Sequence, residues 1–192
     1  MSNPTPEQIR DFVIAGHFDL EKVKSMLEEQ PALLNAAHPW SESDRETALM
    51  AAAQTGNRPI AEYLLEKGAP LDICTAVMLN RHAAVMGFLD QDPGLINARG
   101  AHGLPLLAFA GFSGNIELTS LLLSLGAKDG SEFALHNAIS RGDADLVRWL
   151  LENTHPDLEW KNYEQKTALA VAEEQHKDAI AELLRERGGT VS

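Results

Sequence analysis

Twenty-four residues, Glu46 to Ala69, restrict the fold of this chain more than any other stretch: ETALMAAAQTGNRPIAEYLLEKGA. Leu49, Ala52 and Ala53 fall at helical spacing, Gly56 interrupts them, and Ile60, Leu64 and Leu65 resume the stripe until Gly68 stops it. The pattern predicts two short amphipathic helices joined by a tight turn and closed by a glycine C-cap. Helices this short are marginal alone in water, so each needs neighbours against its apolar side. The chain must supply those neighbours itself.

It does so by repetition. The second leucine of each outer helix falls at Leu27, Leu65, Leu89, Leu123, Leu151 and Leu184, in steps of 38, 24, 34, 28 and 33 residues. Two-repeat steps are steadier, at 62, 58, 62 and 61 residues, and Val23 to Ala36 aligns without gaps on Val85 to Ala98. Three copies of a two-repeat unit are therefore expected, with connections alternately long and short. Thr5-Pro6-Glu7-Gln8 opens the first helix as a capping box, with Pro6 at the first helical position. Asn80 stands at the turn of the third pair, where a left-handed residue is needed. The tail Gly188-Gly189-Thr190-Val191-Ser192 is expected to fray.

The stretch Thr47-Ala48-Leu49-Met50, Ala52-Ala53, Gly56-Asn57 and Leu64-Leu65-Glu66-Lys67-Gly68-Ala69 resembles the ankyrin repeat, whose core runs TPLHxAAxxGHxxVVxxLLxxGA. The resemblance extends over nearly the whole chain. It is strong in repeats two, four, five and six and degraded in one and three. What it implies is an all-α, ankyrin-like helical solenoid of about six helix-turn-helix repeats with partial β-hairpin fingers, present at three of five junctions. The whole chain, residues 1–192, would be one repeat domain, with repeats near 5–36, 42–72, 73–98, 100–130, 131–159 and 162–188.

Composition narrows the function classes. The formal net charge is -12, and Arg185 with Arg187 is the longest basic cluster. Nucleic acid and anionic membrane both demand a basic face, so neither is an expected partner. The charge permits a basic protein partner. One cysteine, Cys74, excludes a disulfide framework and a cysteine-based zinc site. No apolar signal core opens the sequence and no stretch approaches membrane-spanning length, which predicts a cytoplasmic protein.

Chemistry-bearing residues are sparse. None of the seven histidines stands four residues from another, and no acidic pair accompanies them at ligand spacing, so no metal or other cofactor is expected. His17 and His176 sit at turns and read as solvated. His136 takes the position of the ankyrin helix histidine, to which the resemblance gives a structural role. Cys74 takes that slot in repeat three and reads as a small apolar residue. His102, near the tip of a long connection, is the one histidine that reads as a binding candidate. No nucleophile elbow, phosphate-cradling glycine loop or isolated carboxylate pair is present, so no catalytic residue is assigned.

The aromatics carry more. Trp149 repeats the outer-helix position of Tyr63 and reads as packing between repeats. Trp40, Trp160 and Tyr163 fall in long connections, off any helical stripe, where an aromatic needs a local pocket or a partner. Phe112, just before a turn, aligns with an outward-facing position. Met78, Leu79, Ser140 and Arg141 would floor two notches beside the fingers. As in the family it resembles, the expected function is binding of a protein partner, as a monomer and without catalysis, through Trp40, Met78, Leu79, His102, Phe112, Ser140, Arg141, Trp160 and Tyr163. The competing explanation is that each aromatic covers its own finger. The alternative class is an enzyme or small-molecule binder with a groove pocket at His102 or His136, and a third is a structural scaffold.

Overall fold

The computed structural model describes residues 3–191. They form two compact units that divide between Leu104 and Pro105. The fold is the all-α, ankyrin-like helical repeat that the resemblance implies.

The first unit holds α1 (Pro6–Phe18), α2 (Leu20–Glu29), β1 (Ala37–Pro39), β2 (Arg45–Thr47), α3 (Ala48–Gln54), α4 (Arg58–Glu66), α5 (Ile73–Met78) and α6 (His82–Gln91). Each pair starts on a side-chain cap. The Thr5 hydroxyl accepts from the Gln8 amide at 3.2 Å while Gln8 Oε1 accepts from the Thr5 amide at 2.9 Å. Thr47 and Asp72 cap α3 and α5, and Asp19 and Asn57 cap the outer helices α2 and α4. Such caps are worth about 1 kcal/mol each, a large share of the stability of a helix of two turns. Asn80 adopts φ 58°, the left-handed turn expected of it. Inner helices α1, α3 and α5 pack in succession, with α2 against α4 outside. Phe12, Val13, Leu33, Ile60, Leu64 and Met78 are the fully buried bulk between them.

The second unit holds α7 (Leu106–Ser113), α8 (Ile116–Ser124), α9 (Ser131–Arg141), α10 (Ala144–Asn153), α11 (Ala168–Glu174) and α12 (Asp178–Glu186). Asn115, Asp143 and Thr167 repeat the capping scheme. The approach of α7 to α9 is closest at Gly111, where an added Cβ would stand 2.9 Å from both Ala134 Cα and Asn137 Cβ and collide with the Ala134 carbonyl oxygen. Asn137 Nδ2 donates across the same gap to the Ala108 carbonyl at 2.9 Å.

Three expectations need correction. Only the connection at 37–47 is a β-hairpin among the described residues, with Ala37 opposite Thr47 and Pro39 opposite Arg45. The connection after α6 winds into 3₁₀ turns at Pro93–Asn97 and Ala101–Gly103, because Asp92 caps Gly94 and His102 takes φ 54°. The one before α11 is held by Asn162, whose Oδ1 accepts from the Glu164 and Lys166 amides at 3.0 Å, a side-chain turn in place of strand pairing. Met78 and Leu79 do not floor a notch: they are 0% and 6% exposed. Helix α5 is only six residues long, and the Arg58 guanidinium reaches from α4 to bond the carbonyls of Met78 and Leu79 at 2.8 and 3.1 Å, sealing that end. The tail does not fray at Thr190, whose carbonyl accepts from the Thr167 hydroxyl at 2.5 Å and whose own hydroxyl donates to Glu159. Ser192 lies outside the described residues.

Candidate functional site

Two groups of side chains stand out, one in each unit. In the first, the hairpin carries Glu46 one residue before the Thr47 cap, pointing into the packing between α1 and the finger. Its carboxylate is wholly buried. The Trp40 indole N–H donates to Glu46 Oε2 at 2.6 Å, while Oε1 accepts no hydrogen bond. His17, in the last turn of α1, places Nε2 3.4 Å from Oε1, and His102 places Nε2 3.6 Å from Oε2. Each ring is oriented from behind. His17 Nδ1 bonds the Val13 and Ile14 carbonyls at 3.1 and 3.3 Å, and His102 Nδ1 bonds Asp44 Oδ2 at 2.7 Å. Asp44 also accepts the His102 main-chain N–H, which fixes the left-handed turn. The Gln54 side-chain oxygen lies 3.2 Å from His17 Nε2.

Burial of the His17 ring disfavours its charged form. The Glu46 carboxylate, with help from Gln54 and the Ile14 carbonyl, outweighs burial and raises the pKa above the ordinary imidazole value. His17 is therefore not the solvated turn residue expected: the end of α1 is closed over by Gln54, Thr55 and Asn57, the last two bonding the His17 carbonyl.

Trp40 is 38% exposed, its edge against the His38 ring at 4.5 Å and its indole tied to Glu46. The His102 ring lies 6.0 Å from it.

The second group lies in the second unit. Trp160 stacks edge-on against Phe133 and His136 at 4.7 and 5.1 Å, so it too packs on its own repeat. Burial lowers the His136 pKa to about 4, with the Trp160 main chain and Glu132 only partly offsetting it. Tyr163 is different. It is 90% exposed at the tip of a connection stiffened by Asn162 and by Lys166, whose Nζ bonds both Glu164 and Glu174. Ser140 and Arg141 are exposed at the end of α9, and Phe112 is half-buried at the end of α7. Cys74 is buried, which raises its thiol pKa far above the ordinary range, with a further push from Asp72. A cavity of about 230 Å³ is lined by Leu27, Glu28, Pro31, Leu34, Tyr63 and Lys67, at neither His102 nor His136.

Sequence reasoning missed Glu46 and His17 because their meeting with His102 joins positions far apart in the chain. A signal was present: the residue before the cap is Glu46 in repeat two and Lys166 in repeat six, and only the former is buried.

Paired short helices that start on side-chain caps and repeat along the chain define a helical repeat protein. The chain belongs to the ankyrin repeat family: the model described as "Ankyrin repeats (3 copies)" matches residues 106–191 and that described as "Ankyrin repeat" matches residues 44–76, together more than half the sequence. The chain is also similar to phosphocholine transferase AnkX of Legionella pneumophila, 26% identical over 140 residues. That match takes in 64% of this chain but only 15% of the transferase. No helix among the described residues is long and apolar enough to cross a membrane.

Proposed function

We propose that this protein is a non-enzymatic module that binds a protein partner through exposed residues of its second unit, Tyr163 on the connection before α11 and Ser140 and Arg141 at the end of α9, with Phe112 at the end of α7. Ankyrin repeats are in general protein-interaction modules. The observation that carries the surface is Tyr163, a large aromatic held 90% exposed on a hydrogen-bonded turn. A rigid amphipathic side chain gives contact area for little rotamer entropy, and a pre-ordered loop reduces what binding must immobilise. Trp40 and Trp160 support their own fingers in this reading, and His102 serves the Glu46 cluster. The net charge of -12 favours a basic partner. The similarity to the transferase lends its activity no support here, since so little of that protein is matched.

The test is a partner recovered from the native organism and its affinity for variants. Tyr163→Ala and Arg141→Ala should each weaken binding by about 1–3 kcal/mol while leaving the melting temperature within about 2 °C. Affinity should also fall as salt rises, through screening of the acidic surface. A lowered melting temperature with unchanged affinity would place the contact surface elsewhere.

A further inference from the structure

The Glu46 cluster is oddly composed for a structural network. Three acceptor oxygens converge with two imidazole nitrogens: both oxygens of a fully buried carboxylate, the amide oxygen of Gln54, and the Nε2 atoms of His17 and His102. Against them stands one firm donor, the Trp40 indole N–H. Both histidines use Nδ1 outward, on main-chain carbonyls or on Asp44, so each Nε2 is directed at Glu46, as a lone pair in the neutral ring and as an N–H in the charged one. A buried carboxylate facing two imidazoles needs positive charge between them, which a ring proton or a cation supplies. Glu46 Oε1 is left without a hydrogen bond in just this place.

We propose that His17, Glu46 and His102 form a binding site for a divalent transition metal of the zinc type. One ligand atom from each lies within 4.8 Å of the others. Metal–ligand bonds of about 2.0–2.1 Å at tetrahedral angles place ligand atoms roughly 3.3 Å apart. His17 Nε2 stands 3.4 Å from Glu46 Oε1 and His102 Nε2 stands 3.6 Å from Oε2, so the carboxylate faces one imidazole with each oxygen, and drawing three ligand atoms that lie within 4.8 Å onto one ion needs side-chain movements of up to about 1.5 Å. Two imidazoles and a carboxylate are a borderline donor set that suits zinc and cobalt better than calcium or magnesium. The fourth position falls to Gln54 Oε1, 3.2 Å from His17 Nε2, or to a water. Behind the ligands, Asp44 on His102 and the Val13 carbonyl on His17 are the outer partners that fix tautomer and ring direction in metal sites. The metal would tie the end of α1, the hairpin and the turn at Ala101–Gly103 into one clip across the first unit. This inference does not depend on the proposed partner surface, which lies in the other unit.

The experiment uses the full chain stripped of metal by chelator and titrated with cobalt(II) and then zinc(II). The expected result is one cobalt per chain with the intense visible bands of a tetrahedral centre, displaced by zinc, and a melting temperature that rises with zinc concentration. His102→Asn keeps a residue tolerant of left-handed backbone and removes a ligand; it should abolish the bands and weaken binding at least 100-fold with the circular dichroism unchanged. Asp44→Asn should weaken binding about 10–100-fold. His82→Ala and His176→Ala, away from the cluster, should bind as the parent does. Failure of the parent to bind cobalt saturably at one per chain overturns the proposal, as does undiminished binding by His102→Asn.

Discussion

Two glycines inside helices make opposite predictions for the same substitution. At Gly111 an alanine Cβ would meet the Ala134 carbonyl oxygen and stand 2.9 Å from both Ala134 Cα and Asn137 Cβ. Two of these three neighbours are main chain and cannot rotate away, so α7 and α9 must separate, which also stretches the Asn137–Ala108 hydrogen bond of 2.9 Å. Overpacking of this kind costs about 1–3 kcal/mol, and the backbone character of the clash places it at the upper end. Replacing glycine in a helix returns about 0.5–1 kcal/mol, leaving a net loss of about 2 kcal/mol. For the 88 residues from Pro105 to Ser192 unfolding as a unit, that lowers the midpoint by roughly 8–16 °C. At Gly87, in α6, nothing lies within 4 Å of the added atom. Gly87→Ala should therefore stabilise by about 0.5–1 kcal/mol. Thermal and urea unfolding of both variants, followed by circular dichroism, decides the matter. A Gly111→Ala protein that melts at or above the parent would refute the close approach of α7 and α9.

His136 makes acid stability measurable. Its folded pKa near 4 lies below the ordinary 6.5, so the folded state binds fewer protons between those values, and its contribution is whole above pH 6.5 and lost as pH falls toward 4. Between pH 7 and pH 4.5 the parent should lose about 2–3 kcal/mol more than a His136→Gln variant in urea unfolding, and equal losses would show that burial does not hold the ring neutral. Native-state hydrogen exchange should be slowest around Leu64, Leu122 and Leu150, each fully buried in an outer helix with neighbours on its apolar side. Uniform protection, or the strongest protection near Met26, would count against that ranking.

What the sequence disclosed was what is local in it. Caps such as Thr5, the left-handed Asn80 and the stripe of Leu49, Ile60 and Leu64 each depend on residues a few positions apart, and each stands where the spacing puts it. Met78 and Leu79 were misplaced because α5 is only six residues long and a guanidinium from the preceding repeat covers its end. The second cause lies outside the helix, twenty residues back in the sequence. The 3₁₀ turns after α6, in place of a second hairpin, follow from single side chains, the Asp92 cap and the left-handed His102. The Glu46 cluster was illegible for a related reason: ligand spacing within one helix is visible in a sequence, whereas atoms brought together by stacking three repeats are not.

The reach of Arg58 into the third repeat has a consequence for how the chain is made. Its guanidinium satisfies the carbonyls at the end of α5, and Arg81 of the following turn is paired with Glu62 of the same donor helix. Helix α5 is too short to persist unaided, so it waits on α4. On a ribosome α4 emerges first, and the dependence runs with the direction of synthesis. A circular permutant that begins at Asp72 reverses that order. It should reach the same final fold but acquire protection in α5 late, detectable by pulsed hydrogen exchange during refolding and translation, whereas equal timing in both chains would show that α5 forms without its donor.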